Sequence, residues 1–154
     1  MRLGDILRPE GVRVVNGLSS KKRLFAELGE MAGGAFRLEP ASVCEALMER
    51  EAMGPTGVGH GVALPHARID GIEAARGLFL RLDRPLDFEA VDRQPVDLVF
   101  CLLAPASAGV EHLKALALVS RTMRDGPTCQ KLRANSDPAT LHTILTEGPT
   151  NLAA

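Results

Sequence analysis

Apolar residues recur along this chain at two different spacings, and the change from one to the other predicts where helices give way to strands. Over Lys21–Gly33, the side chains Leu24, Phe25, Leu28, Met31 and Ala32 fall three and four positions apart, the repeat of one helix face. Ser19 and Ser20 offer N-caps before it, and Gly33-Gly34 predicts its end. A second helix is predicted from Pro40, a favoured first-turn residue, to Arg50, with Val43, Ala46 and Leu47 inward. Val12–Val15 reads as a brief strand and Gly77–Leu82 as another, with Arg84-Pro85 as a turn after it. The run Val96–Leu103 is apolar apart from Asp97, which predicts a central strand covered on both faces. Helices are predicted over Val110–Arg124, Thr128–Ala134 and Pro138–Thr146, the last capped by Ser136 or Asp137. Strands and helices interspersed with short connections imply an α/β fold, a sheet flanked by helices. One domain is expected over residues 1–147, with a frayed tail over 148–154.

The segment Gly57-Val58-Gly59-His60-Gly61-Val62-Ala63-Leu64-Pro65-His66 stands apart from both periodicities. Its glycines permit tight bends and close approach of the backbone to another group. Val62-Ala63-Leu64 reads as a short buried strand, and Pro65, which has no N–H for a ladder, predicts the strand's end. His66 is then delivered to the rim of a rigid sheet, as a candidate nucleophile or acid–base group. A satisfied structural histidine is the competing reading of that residue.

Composition narrows the partners. The chain has 154 residues, 45% apolar and 24% charged, with a formal net charge of −1. That balance suits a globular core and gives no electrostatic reason to expect nucleic acid or an anionic membrane. Trp and Tyr are both absent, so base-stacking platforms are missing too. The N-terminus lacks the apolar core of a signal peptide, and the longest apolar stretch, Leu98–Ala106, is far below the roughly 20 residues of a membrane helix. Cys44, Cys101 and Cys129 are odd in number without CxxC spacing, so a cytoplasmic protein with reduced, mostly buried thiols is expected.

Rival chemistries fit the motifs less well. No glycine precedes Lys-Ser or Lys-Thr, as a nucleotide phosphate loop requires, and Val62 stands where a GxGxxG motif needs its last glycine. The loop N–H groups remain able to hold an isolated phosphoryl group. His60, His66 and His112 match no zinc spacing, and Glu49, Glu51 and Asp70 read as solvated surface carboxylates; no metal or cofactor is expected. No Ser-His-Asp arrangement is evident, and Ser120 lacks the glycines of a nucleophile elbow.

Several blocks together resemble a known family. Arg50-Glu51, Thr56-Gly57-Val58-Gly59 and Gly61–His66 are similar to the signature of IIA proteins of the bacterial phosphoenolpyruvate-dependent phosphotransferase system, in the mannitol/fructose/nitrogen-regulatory class. Phe88–Asp92, Gln94–Phe100, His112-Leu113-x-x-Leu116 and Leu132-Arg133 resemble its further blocks, so the likeness spans Leu3 to Thr146. Two positions depart from it: Pro55 stands where relatives often have Ser, and Ala67-Arg68 where the nitrogen-regulatory branch often has Gly and a basic residue.

The resemblance implies a mixed sheet within an α/β/α sandwich and a transient phosphohistidine at His66, with Arg50, Thr56 and His112 as its phosphate pocket. It implies a phosphorylated HPr-like or NPr-like protein as donor. Downstream lies either a regulatory target, as in the nitrogen branch, or a IIB subunit that energises uptake of a fructose- or mannitol-type sugar. An interaction module without phosphotransfer is the third possibility.

Overall fold

The computed structural model describes residues 1–148. In chain order its elements are α1 (Leu3–Ile6), a 3-10 turn (Pro9–Gly11), β1 (Val12–Val15), α2 (Lys21–Phe36), α3 (Pro40–Ala52), β2 (Gly57–Gly59), β3 (Val62–Ala63), β4 (His66–Ile69), β5 (Arg76–Leu86), β6 (Val96–Pro105), α4 (Val110–Met123), α5 (Gly126–Arg133) and α6 (Pro138–Glu147). The strands form one six-stranded mixed sheet in the order β1-β5-β6-β3-β2, with β4 also on β6. β1 runs parallel to β5, β3 and β4 run parallel to β6, and β5 is antiparallel to β6.

Alternation along the two longest strands sends side chains to both faces. Leu78, Leu80, Leu82, Val99, Cys101 and Leu103 pack with Leu24, Phe25 and Leu28 of α2 and with Val43 and Leu47 of α3. Phe79, Leu98 and Phe100 pack on the other side with Val119, Leu132, Leu141 and Leu145 of the C-terminal helices. The result is the expected α/β/α sandwich. β6 is buried from Leu98 to Pro105, as its near-continuous apolar run predicted. Truncating Phe100 there would cost about 3–5 kcal/mol, a large part of a typical domain's stability. The sheet is therefore a stiff platform for whatever projects from its rim.

Three sequence expectations are corrected. α2 does not stop at Gly33-Gly34 but continues to Phe36 and ends on Arg37, which adopts the left-handed conformation at φ 58°. Gly29 and Gly33 serve packing instead: a Cβ on Gly29 would lie 2.5 Å from the carbonyl oxygen of Pro40, and one on Gly33 would lie 2.9 Å from that proline's ring. Arg84-Pro85 is not a turn but part of β5, whose pairing with β6 shifts between Arg81 and Leu86. A proline is tolerated at such an irregularity because no ladder donor is required of it.

The third correction concerns the segment of greatest interest. β3 does end before Pro65, one residue earlier than expected, but His66 then opens a further strand, β4, on the same partner. Val62 pairs with Leu98, Ala63 with Val99 and His66 with Leu102, so β3 and β4 keep one register on β6 across the proline. The expected tail falls, apart from Gly148 at the end of α6, outside the described residues.

Candidate active site

The site is built where β2 has ended and the Leu64-Pro65-His66 segment becomes the edge of the sheet. Pro65 still accepts from the Leu102 N–H at 2.9 Å, which holds the segment to β6. Leu64 instead uses its backbone on the open side. Its N–H donates to the Thr56 carbonyl at 2.9 Å, and its own carbonyl lies 2.8 Å from Nδ1 of His66. A carbonyl can only accept, so Nδ1 carries the ring proton. In the neutral imidazole, the lone pair is then on Nε2.

Arg50 meets that lone pair. It sits in the last turn of α3, and its Nε donates to Nε2 of His66 at 3.3 Å. Nη1 of the same guanidinium donates to the Gly54 carbonyl at 3.0 Å, which anchors it from the chain beyond the helix. The two contacts agree on one tautomer. Partial burial holds the His66 pKa below 6.5, opposed by the Leu64 carbonyl and assisted by the Arg50 charge. The ring is thus kept deprotonated at Nε2, the form able to attack an electrophile.

His112 approaches from the start of α4, its ring centroid 5.8 Å from that of His66. It is buried, and its Nδ1 has no hydrogen-bond partner among the described residues. Burial, with the nearby His66 and Arg68, holds its pKa down as well. Glu49, Arg50, Met53, His66, Arg68 and His112 line an open cleft of about 310 Å³. That is the low end for ligand sites, suited to a small group rather than a nucleotide. Arg68 is exposed two residues after His66 on the same strand, so alternation puts both on one face. By motif Arg68 is only a departure from the family pattern; its two-residue spacing from His66 is the signal that places it here.

Thr56 does not line the cleft. It is 4% exposed, and its N–H and Oγ1 both donate to Glu51, at 3.1 and 2.6 Å. Glu51 was expected in solvent and is not: its side chain is 7% exposed and also accepts from Lys21 Nζ at 2.8 Å. Glu49 and Asp70 are exposed, as expected. His60 joins neither of the other two histidines. It occupies the β2–β3 turn at φ 56°, its N–H donating to Asp92 at 2.9 Å. Among the described residues, no three His, Cys, Asp or Glu side chains converge on a metal position.

Comparison with known proteins fixes the family. The family model for the phosphoenolpyruvate-dependent sugar phosphotransferase system, EIIA 2, matches residues 5–148. A nitrogen regulatory protein of Bradyrhizobium diazoefficiens is 44% identical over 153 residues, covering 99% of this chain and all of that one (100%). The crystal structure of the nitrogen regulatory protein IIA-Ntr from Neisseria meningitidis superposes with a TM-score of 0.85 at 38% identity, covering 94% of this chain and 99% of that chain. Enzyme IIAMTL of Escherichia coli, solved in complex with phosphorylated enzyme IIBMTL, shares the fold, with a TM-score of 0.77 at 18% identity over 92% of this chain and 99% of that chain. With a glycine-rich signature ending in an edge histidine, and a match that runs nearly end to end, the chain belongs to the EIIA 2 family of the phosphoenolpyruvate-dependent sugar phosphotransferase system, as a phosphocarrier.

Proposed function

We propose that Nε2 of His66 accepts a phosphoryl group from the phosphohistidine of a small HPr-like or NPr-like donor protein, and that the protein is a regulatory carrier of the nitrogen type. The observation that carries the reading is the ring's fixed tautomer: Nδ1–H tied to Leu64 and the Nε2 lone pair turned to the Arg50 guanidinium. In the transfer, the N–P bond of the donor breaks and its electron pair returns to the donor's ring. A new Nε2–P bond forms from the His66 lone pair. The ring gains positive character as this happens, and the Leu64 carbonyl, already accepting Nδ1–H, stabilises it.

Catalysis of phosphoryl transfer rests mainly on positioning and on charge stabilisation. Arg50 supplies two or more N–H donors in a fixed fork for the equatorial oxygens. Its Nε contact to the ring yields as phosphorus arrives, and the guanidinium passes to the phosphoryl oxygens. His112 faces the same cleft and adds a further donor. Thr56 acts from behind, through the wall that holds Leu64. The domain is proposed to be one unit over 1–147.

A phosphoryl group on His66 adds negative charge and three acceptor oxygens at an exposed rim, which creates or removes a docking surface. Likeness to nitrogen regulatory proteins over the whole chain supports the regulatory role. Transfer to a IIB subunit is the second reading, from the fold shared with IIAMTL. Incubation with phosphorylated donor should yield an acid-labile, base-stable label that H66A does not take up. Label on folded H66A would remove His66 from the reaction.

A further inference from the structure

Close to His66 lies a buried polar cluster, centred on Glu51, that does not line the cleft. Glu51 follows Arg50 directly, and consecutive helical residues point about 100° apart. With Arg50 turned to the cleft, Glu51 turns inward between α2, the loop before β2 and the sheet. Its carboxylate accepts the Thr56 N–H, the Thr56 hydroxyl and Lys21 Nζ, at 3.1, 2.6 and 2.8 Å. Lys21 is itself held over the Phe88 ring at 4.8 Å. A carboxylate this enclosed is tolerated only because each of these donors compensates it.

We infer that Glu51 is a positioning residue for phosphoryl transfer, fixing the His66 tautomer and the Arg50 fork together through Thr56. Two chains of contact meet at it. One runs from Glu51 to Thr56, from the Thr56 carbonyl to the Leu64 N–H, and from the Leu64 carbonyl to Nδ1 of His66. The other is covalent: Glu51 locks the last turn of α3, whose neighbouring residue presents the guanidinium to Nε2. Without the Glu51 carboxylate, Thr56, which anchors Leu64, loses its side-chain tie to the helix, and the loop that carries Gly54 to Arg50 is held from the helix side alone. The inference rests on the reading of His66 as acceptor and touches no reacting atom.

The test uses the full chain with phosphorylated donor, in wild type, E51A, E51Q, T56V and the E51A/T56V pair, below the melting temperature of each. Misplacement of reacting groups by about 1 Å costs on the order of 100-fold, so E51A is expected to lower the maximal transfer rate about 10- to 100-fold. KM for the donor stays within about twofold, because the docking rim is unchanged. E51Q keeps an acceptor for Thr56 but not the charge, and should lose roughly three- to tenfold, since charge-assisted bonds are about twice as strong. T56V should lose a similar amount, and the double variant should be no slower than E51A, as residues in one network are not additive. In ¹⁵N spectra of E51A, the His66 ring should become a mixture of tautomers.

Folded E51A that transfers at the wild-type rate with Nδ1–H intact would overturn the inference. So would a lower melting temperature with unchanged maximal rate, which is what a purely structural carboxylate gives. Should E51A fail to fold, wild-type rates in both E51Q and T56V overturn it just as directly. A wild-type protein that takes no label at all instead defeats the reading of His66 itself.

Discussion

Two arginines near helix ends illustrate opposite uses of one side chain. Arg133, closing α5, places Nε and Nη2 each 2.9 Å from an Asp97 carboxylate oxygen, and Nη2 donates to the His60 carbonyl at 2.7 Å. Its charge is matched and its fork is filled. Arg50 faces no carboxylate within ion-pair distance among the described residues, and its Nε rests on a neutral ring nitrogen at 3.3 Å. A guanidinium held in place yet uncompensated is what an incoming phosphoryl dianion requires. The partner set of an arginine, rather than its exposure, separates a brace from a binding group.

The largest expected break falls on Arg50. Removing one fixed donor to developing charge costs about 10²–10³ in rate, so R50M should slow phosphoryl acceptance by about that factor. R50K, which keeps charge but loses the planar fork, should retain intermediate activity. Both lose the hydrogen bond to the Gly54 carbonyl and should be destabilised by only about 0.5–1.5 kcal/mol, leaving the chain folded. Stopped-flow transfer and urea denaturation report the two quantities separately; equal transfer rates for R50M and wild type would remove Arg50 from the pocket.

Arg133 should behave the other way round. R133M leaves Asp97 without its partner and should destabilise the fold by about 1–3 kcal/mol, with transfer within about twofold of wild type. G61A attacks the same brace from the backbone. Gly61 has φ +78°, and a Cβ there would lie 2.5 Å from Arg133 Nη2. About 1–3 kcal/mol of lost stability is expected, again without a matching loss of transfer. Denaturant midpoints measure both. Loss of transfer in folded R133M would show that the two arginines are not independent.

The smallest effect is on pH dependence. The His66 pKa lies below its ordinary 6.5 in the folded chain, chiefly through burial, and the His112 pKa is lowered too. Below pH 6.5 the unfolded chain therefore binds protons that the folded chain does not, and stability falls as the solution is acidified through that window. H66Q should flatten the trend, as followed by melting temperature between pH 7 and pH 5. Steeper acid loss in H66Q would contradict the assigned direction.

Much of this was legible in the sequence because local chemistry and tertiary packing agreed. Ser20 caps α2 on the Arg23 N–H, Asp137 caps α6 on Thr140, and the apolar run of β6 is buried as its composition demanded. Misreadings arose where a residue served a distant neighbour. Gly29 and Gly33 admit Pro40 from α3, and Pro85 lies where a ladder bond is already broken. The glycine-rich segment announced a site, and Arg50, His66 and His112 are brought together on one cleft. Glu51 was not legible as a buried group. Its burial depends on Lys21, thirty positions earlier, and on the turn that returns Thr56 to it. Adjacency to Arg50 gives no hint of it, since Glu49 is also a neighbour of Arg50 in α3 and lines the cleft with it.

In the proposed transfer, Nε2 of His66 is the atom that receives phosphorus. Long-range ¹H–¹⁵N correlation of the imidazole, before and after phosphorylation by the donor, tests it most directly. The free protein should show Nδ1 protonated and Nε2 bare, and the phosphorylated protein should show ³¹P coupling to Nε2 with Nδ1 still protonated. Phosphorus on Nδ1, or on a residue other than His66, would contradict the account.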